Sequence, residues 1–172
     1  DAKRQKDVIS MKDAKRQKDA ISMKDAKKLQ NNHTNKKNKR PIDKSKNSFI
    51  APCDSKLTCY KINNGLTFKI KNSIYSVESI INDKKVSKLY NGGYALVFRL
   101  SPEDYHHYAF SDDGTITGNY KINGRFHTVN PIVYDKFEVF KENTRECTLV
   151  DSVNFGKMMY VEVGALLVGK IN

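Results

Sequence analysis

The chain has 172 residues and a formal net charge of +12, and that charge is concentrated at one end: residues 1–48 carry 16 Lys/Arg against 6 Asp, while the remainder is nearly balanced. The aromatic residues, 9 Tyr and 8 Phe, all lie from Phe49 onward, so an aromatic-bearing core begins about there. No apolar run approaches the roughly 18 residues that a helical membrane span requires; the longest candidate, Val161–Val168, is interrupted by Glu162 and Gly164.

The N-terminal quarter is repetitive. Asp1–Lys12 reads DAKRQKDVISMK, Asp13–Lys24 reads DAKRQKDAISMK, and a third copy starts DAKK at Asp25 and decays. On an α-helix a step of this length rotates each repeat by about 120° from the last. The clusters Val8-Ile9-Met11 and Ala20-Ile21-Met23 then fall on different faces, so neither a coiled-coil seam nor an in-plane membrane helix is indicated. The composition predicts a solvated, low-complexity tail, disordered or transiently helical, over residues 1–39. Residues 31–48 have no apolar period and read as linker, and the domain is predicted over 40–172.

From Phe49 the pattern changes to short β-branched or alternating runs. Leu57–Ile62 and Leu66–Ile70 read as strands separated by the turn Asn63-Asn64-Gly65. Tyr75–Asn82 has helical spacing, with Ser76 as N-cap. A turn at Asn91-Gly92-Gly93 precedes a strongly apolar strand, Tyr94–Leu100. Asp112-Asp113-Gly114 and Asn123-Gly124 are hairpin signals on either side of Thr115–Ile122. Cys147–Val150 and Lys157–Val168 supply further strands across Asn154-Phe155-Gly156. The predicted fold is mainly β (α+β): an antiparallel domain with one or two short helices. Cys53, Cys59 and Cys147 are odd in number and lack C-x-x-C spacing, which points to free thiols in a reducing compartment and to no metal site.

Several blocks, in order, resemble the phosphatidylserine decarboxylases. Arg40-Pro41-Ile42-Asp43 is similar to the RP-x-D that precedes that family's domain. Phe49–Leu57 (FIAPCDSKL) resembles its P-x-D-G segment, with Asp54 in the acidic position. Leu100–His106 (LSPEDYH) resembles its L-x-P-x-D-Y-H signature. His127–Pro131 (HTVNP), Phe140–Arg145 (FKENTR), Phe155-Gly156 and Val163–Ile171 (VGALLVGKI) follow at the family's spacing.

The resemblance implies a lyase of phospholipid synthesis that converts phosphatidylserine to phosphatidylethanolamine and CO2. Loss of CO2 leaves a carbanion that needs an electron sink. The family supplies one by a Schiff base to a pyruvoyl group made from an internal Ser, which becomes the first residue of a small α chain. It further implies His106 as base and later acid, Asp54 as the carboxylate that orients it, and Asp104 as a secondary candidate. A peripheral location on an anionic membrane surface, cytoplasmic face, goes with that substrate, and Lys/Arg of the tail suit such a surface.

The sequence departs from the family pattern in places. Where many members carry D-Y-H-R-x-H, this chain has His107 and Ala109, and Ser55 stands where Gly follows the acidic residue. On a strand His107 points to the face opposite His106. His33 and His127 are unremarkable. The processing tetrapeptide L/G-G-S-T does not occur in residues 1–172. The expectation is therefore a β-chain region, incomplete at its C-terminus and inactive by itself. The alternative is a catalytically silent, lipid-surface-binding homologue. Nucleic-acid binding is disfavoured: the basic tail offers no aromatic stacking platform and the domain is nearly neutral.

Overall fold

The computed structural model describes residues 7–12, 45, 48–70, 73–101, 104–134 and 136–165. Its eight strands are β1 (Asp7–Lys12), β2 (Lys56–Lys61), β3 (Thr67–Ile70), β4 (Ser73–Ser76), β5 (Tyr94–Arg99), β6 (Gly114–Ile122), β7 (Arg145–Ser152) and β8 (Gly156–Val163). Three short helices are α1 (Val77–Ile81), α2 (Lys84–Ser87) and α3 (Val139–Glu142). Six strands form one antiparallel sheet in the order β2-β5-β1-β8-β7-β6, and β3 and β4 form a second, two-stranded sheet. The predicted class, an antiparallel β domain with few short helices, is what the chain adopts.

Alternation along the strands builds a core on each face of the large sheet. On one face Ala95, Val97, Met159, Val161 and Val163 pack with α1, the small sheet and the buried rings of Tyr75, Tyr90 and Phe140. On the other, Leu96, Phe98, Met158 and Tyr160 pack with Cys53, Leu100 and Val150. The local signals act as predicted in several places. Ser76 caps α1 by accepting from the Ser79 amide at 3.0 Å, and Asn82 closes that helix at φ 52°. Asn63 Oδ1 accepts from the amides of Gly65 at 2.9 Å and Thr67 at 3.0 Å, which turns the chain between β2 and β3.

Two expectations are corrected. Asp7–Lys12 belongs to the segment predicted to be a solvated or helical tail, yet it is a strand paired along its whole length with β5 on one side and β8 on the other. Composition averaged over the tail concealed a six-residue window, DVISMK, rich enough in β-branched and apolar residues to pair with two strand edges. The rest of the predicted tail and linker lies outside the described residues, apart from Ser45 and Ser48.

The glycine-bearing signals that bracket β6 are also not hairpins. The partner of β6 is β7, reached only after residues 123–144. Gly114 and Gly124 serve close approach instead. A Cβ on Gly114 would lie 2.5 Å from the Asp151 carbonyl oxygen, and one on Gly124 would collide with that of Glu142.

Asp112, read as a turn residue before β6, holds the turn between β7 and β8. Its carboxylate accepts from Ser152 Oγ, from the Asn154 amide at 2.8 Å and from Asn154 Nδ2 at 2.9 Å. Burial opposes the charge, but these donors outweigh it and hold the carboxyl below its ordinary range. A depressed folded-state value contributes stability that is present above the unfolded value, near 4, and lost as pH falls through the folded one. Asp112→Ala should therefore lower the unfolding free energy by about 1 kcal/mol at pH 7, allowing for solvent screening. Urea titrations at pH 7 and pH 3 should show a smaller difference between variant and parent at the acid pH.

Candidate active site

The sheet registers bring one set of strand ends together. Arg99 at the end of β5 lies opposite Lys56 of β2 and Asp7 of β1; Val163 at the end of β8 lies opposite Asp7 and Arg145. This rim carries the segments that precede β2 and follow β5 and β8. The stretch after β5 then runs down the face of β8. Tyr108 donates to Glu162 Oε1 at 2.7 Å, the Ser111 amide donates to Tyr160 Oη at 2.8 Å, and Asp112 reaches the far turn. Residues 50–52 run antiparallel beside it: the Ala109 amide donates to the Pro52 carbonyl at 2.8 Å and the Ile50 amide to the Ser111 carbonyl at 3.3 Å. Continued toward the rim, that run leads from Pro52 to Asp54 and from Ala109 back to His106.

His106 is half-buried, and its Nδ1 lies 2.7 Å from the backbone carbonyl of Asp104. A carbonyl only accepts, so Nδ1 carries a proton, and in the neutral imidazole Nε2 is then the nitrogen that presents a lone pair. Nε2 is buried and has no hydrogen-bond partner among the described residues. An imidazole fixed in this tautomer, with a dehydrated acceptor nitrogen, suits taking a proton from a hydroxyl delivered to that point.

The contact that fixes the tautomer is thus the main chain of Asp104. The Asp104 carboxylate has a separate role, accepting at Oδ2 from the Ser101 amide at 2.6 Å and Ser101 Oγ at 2.7 Å, which tightens the turn leading into His106. His107 is exposed and stacks on Tyr105 at 4.5 Å, away from the half-buried His106. His127 stacks on Phe137 at 4.4 Å. Its Nε2 lies 3.3 Å from Glu142 Oε2 without hydrogen-bond geometry, so the pair is a weak electrostatic contact. No cluster of three metal-ligating side chains occurs among the described residues.

Residues that sequence reasoning took only as motif letters turn out to hold the rim. In FKENTR, Asn143 is fully buried. Its Nδ2 donates to the carbonyls of His127 at 2.7 Å and Gly164 at 2.8 Å, and its Oδ1 accepts from the His127 amide at 3.0 Å. Arg145, 3% exposed, donates from Nε to the Ile80 carbonyl at 2.8 Å and from Nη1 to the carbonyls of Asn143, at 2.8 Å, and Lys141. Burial lowers the guanidinium's pKa while Cys147 and Tyr120 act to raise it. Glu162, which broke the apolar run in the sequence, is the buried acceptor of Tyr108. Burial, then the bond to Glu162, pushes that phenol well above its ordinary range.

Comparison with known proteins identifies the architecture that carries this rim. The family model described as phosphatidylserine decarboxylase matches residues 33–172. The chain belongs to the phosphatidylserine decarboxylase family. It is 50% identical over 133 residues to phosphatidylserine decarboxylase proenzyme 2 of Clostridium acetobutylicum, covering 77% of this chain and 46% of that protein. The proenzyme of Clostridium perfringens (strain ATCC 13124) is 42% identical over 134 residues, with 77% and 46% coverage. That of Clostridium botulinum (strain Langeland) is 42% identical over 138 residues, with 79% and 47% coverage. The chain therefore spans about half the length of the curated relatives it matches. β1 lies outside the residues matched to the phosphatidylserine decarboxylase family, although it sits inside the sheet that those residues form.

If Asn143 holds the rim, removing its amide leaves the buried Gly164 carbonyl and the half-buried His127 carbonyl and amide without their partner. Asn143→Ala should cost about 2–4 kcal/mol and should raise hydrogen exchange at Gly164 and around His127. A stability loss without faster exchange at either place would contradict this role.

Proposed function

We propose that this chain is the β-chain region of a pyruvoyl-dependent phosphatidylserine decarboxylase, and that His106 is its proton-transfer residue. The observation that carries the proposal is the buried Nε2 of His106, which has no hydrogen-bond partner among the described residues and is left as the acceptor because Nδ1 donates to the Asp104 carbonyl. Such a nitrogen fits a hydroxyl donor, which is what formation of a pyruvoyl group from a serine requires. When present, a pyruvoyl group supplies the electron sink for loss of CO2. This chain supplies the rest: His106 accepts the hydroxyl proton at Nε2 and, in turnover, holds the proton that goes to the product carbon. Asp104 orients the ring through its carbonyl. Asp54, on the neighbouring stretch, supplies negative charge that stabilises the imidazolium as it forms.

In this reading the pyruvoyl-forming serine is on a segment outside residues 1–172, a placement supported by the absence of the family's G-S-T from these residues. That segment, as the α chain, is the proposed protein partner, and phosphatidylserine the proposed substrate. We place the protein at the membrane surface as a peripheral component. A lipid substrate and the 16 Lys/Arg of residues 1–48 support that placement, since basic residues are attracted to an anionic leaflet.

The test is self-cleavage of the complete proenzyme that encodes this chain, followed by gel and mass spectrometry. His106→Ala should reduce the cleavage rate by about 10²–10⁴-fold, the usual worth of a general base, and Asp54→Asn should slow it less. The 172-residue chain alone should release no CO2 from phosphatidylserine. Cleavage of His106→Ala at the parent rate would overturn the assignment.

A further inference from the structure

The sheet contains a strand that the family match does not reach. β1 pairs with β5 and β8 through all six of its residues, and among the described residues no other strand links the β2-β5 pair to the β8-β7-β6 group. The slot between β5 and β8 is therefore a strand-binding site, filled by a segment joined to β2 only through residues 13–55.

The sequence holds the strand's hexapeptide twice. Asp7–Lys12 is DVISMK, and Asp19–Lys24 is DAISMK. Ile9 lies opposite Val97 and Val161, and Met11 opposite Ala95 and Met159; the second copy keeps both as Ile21 and Met23. It also keeps the flanking Asp and Lys. The single difference, Ala20 for Val8, falls at the position opposite Phe98 and Glu162. The decayed third copy has no I-S-M and cannot repeat the register.

We infer that the β5–β8 slot accepts either copy, Asp19–Lys24 replacing Asp7–Lys12 by a shift of one whole repeat. A shift of an even number of residues keeps every side chain on its own face, so the exchange does not turn the strand over. The shorter connection left by the second copy, residues 25–55, favours it by less than about twofold. The β-branched Val8 favours the first copy. The first copy predominates and the second stands in when the first is withdrawn. Asp7 lies opposite Arg99 and Val163, so the exchange takes place at the rim that carries His106.

The test uses the full chain and a double-mutant cycle. Proline removes the amide that a central strand must donate, so Ile9→Pro disables the first copy and Ile21→Pro the second. Ile21→Pro should leave the melting temperature unchanged. Ile9→Pro should lower it modestly, and amides of residues 21–24 should gain hydrogen-exchange protection. The double variant should lose far more than the two single losses together. Each result should be unchanged by roughly tenfold dilution, as an exchange within one chain requires. If Ile9→Pro alone falls as far as the double variant, or the losses are additive, only the first copy fills the slot. If the double variant melts like the parent, neither does. Either result overturns the inference.

Discussion

The guanidinium of Arg145 cannot lose its charge within the accessible pH range, so once the fold buries it, acceptors must be found for its donors. No carboxylate is bonded to it among the contacts described. Its acceptors are main-chain carbonyls: Ile80 in α1, Lys141 in α3, and Asn143 between α3 and β7. One side chain thereby ties two helices to the first residue of a central strand. Asn143, held in that arrangement, clasps the His127 loop to the end of β8. The rim that presents His106 has fixed walls because a buried cation and a buried amide are satisfied by backbone groups from four separate stretches.

The same economy appears at His106. Its orientation comes from a carbonyl two residues earlier, and the turn that aims the carbonyl is closed by the Asp104 side chain on Ser101. Position and tautomer are thus properties of one short segment, LSPEDYH. The following residues are fastened onto β8 by Tyr108 and Ser111. A side chain held this way depends little on loop closure elsewhere.

Much of the fold was legible because local chemistry and tertiary demand agreed. The Ser76 cap, the Asn63 turn and the alternation in Tyr94–Arg99 act as the sequence suggests. Three things were not legible. β1 was hidden because composition over a long tail outweighs a six-residue window. The pairing of β6 with β7 was hidden because turn residues do not reveal that Gly114 and Gly124 are needed for contact with distant backbone. The partner of His106 was hidden because side-chain pattern carries no information about main-chain acceptors. Glu162 was visible as an interruption of an apolar run, and that interruption was the signal for a buried hydrogen-bonded carboxylate.

The position of β1 also sets an order of events during synthesis. The strand leaves the ribosome before either of its partners, and β8 follows it by about 150 residues. At about 5–20 residues per second, the wait is roughly 8–30 s. Until β8 is made, the hexapeptide and, once it has emerged, the edge of β5 have no third strand to complete them, and their pairing cannot be locked from both sides. Folding must join β1 to a strand about 150 residues further along the chain, the circumstance in which sheet formation is slow and exposed edges most readily meet those of other nascent chains. Lys and Arg residues stand on both sides of the hexapeptide, and their like charges oppose the close approach of neighbouring nascent tails.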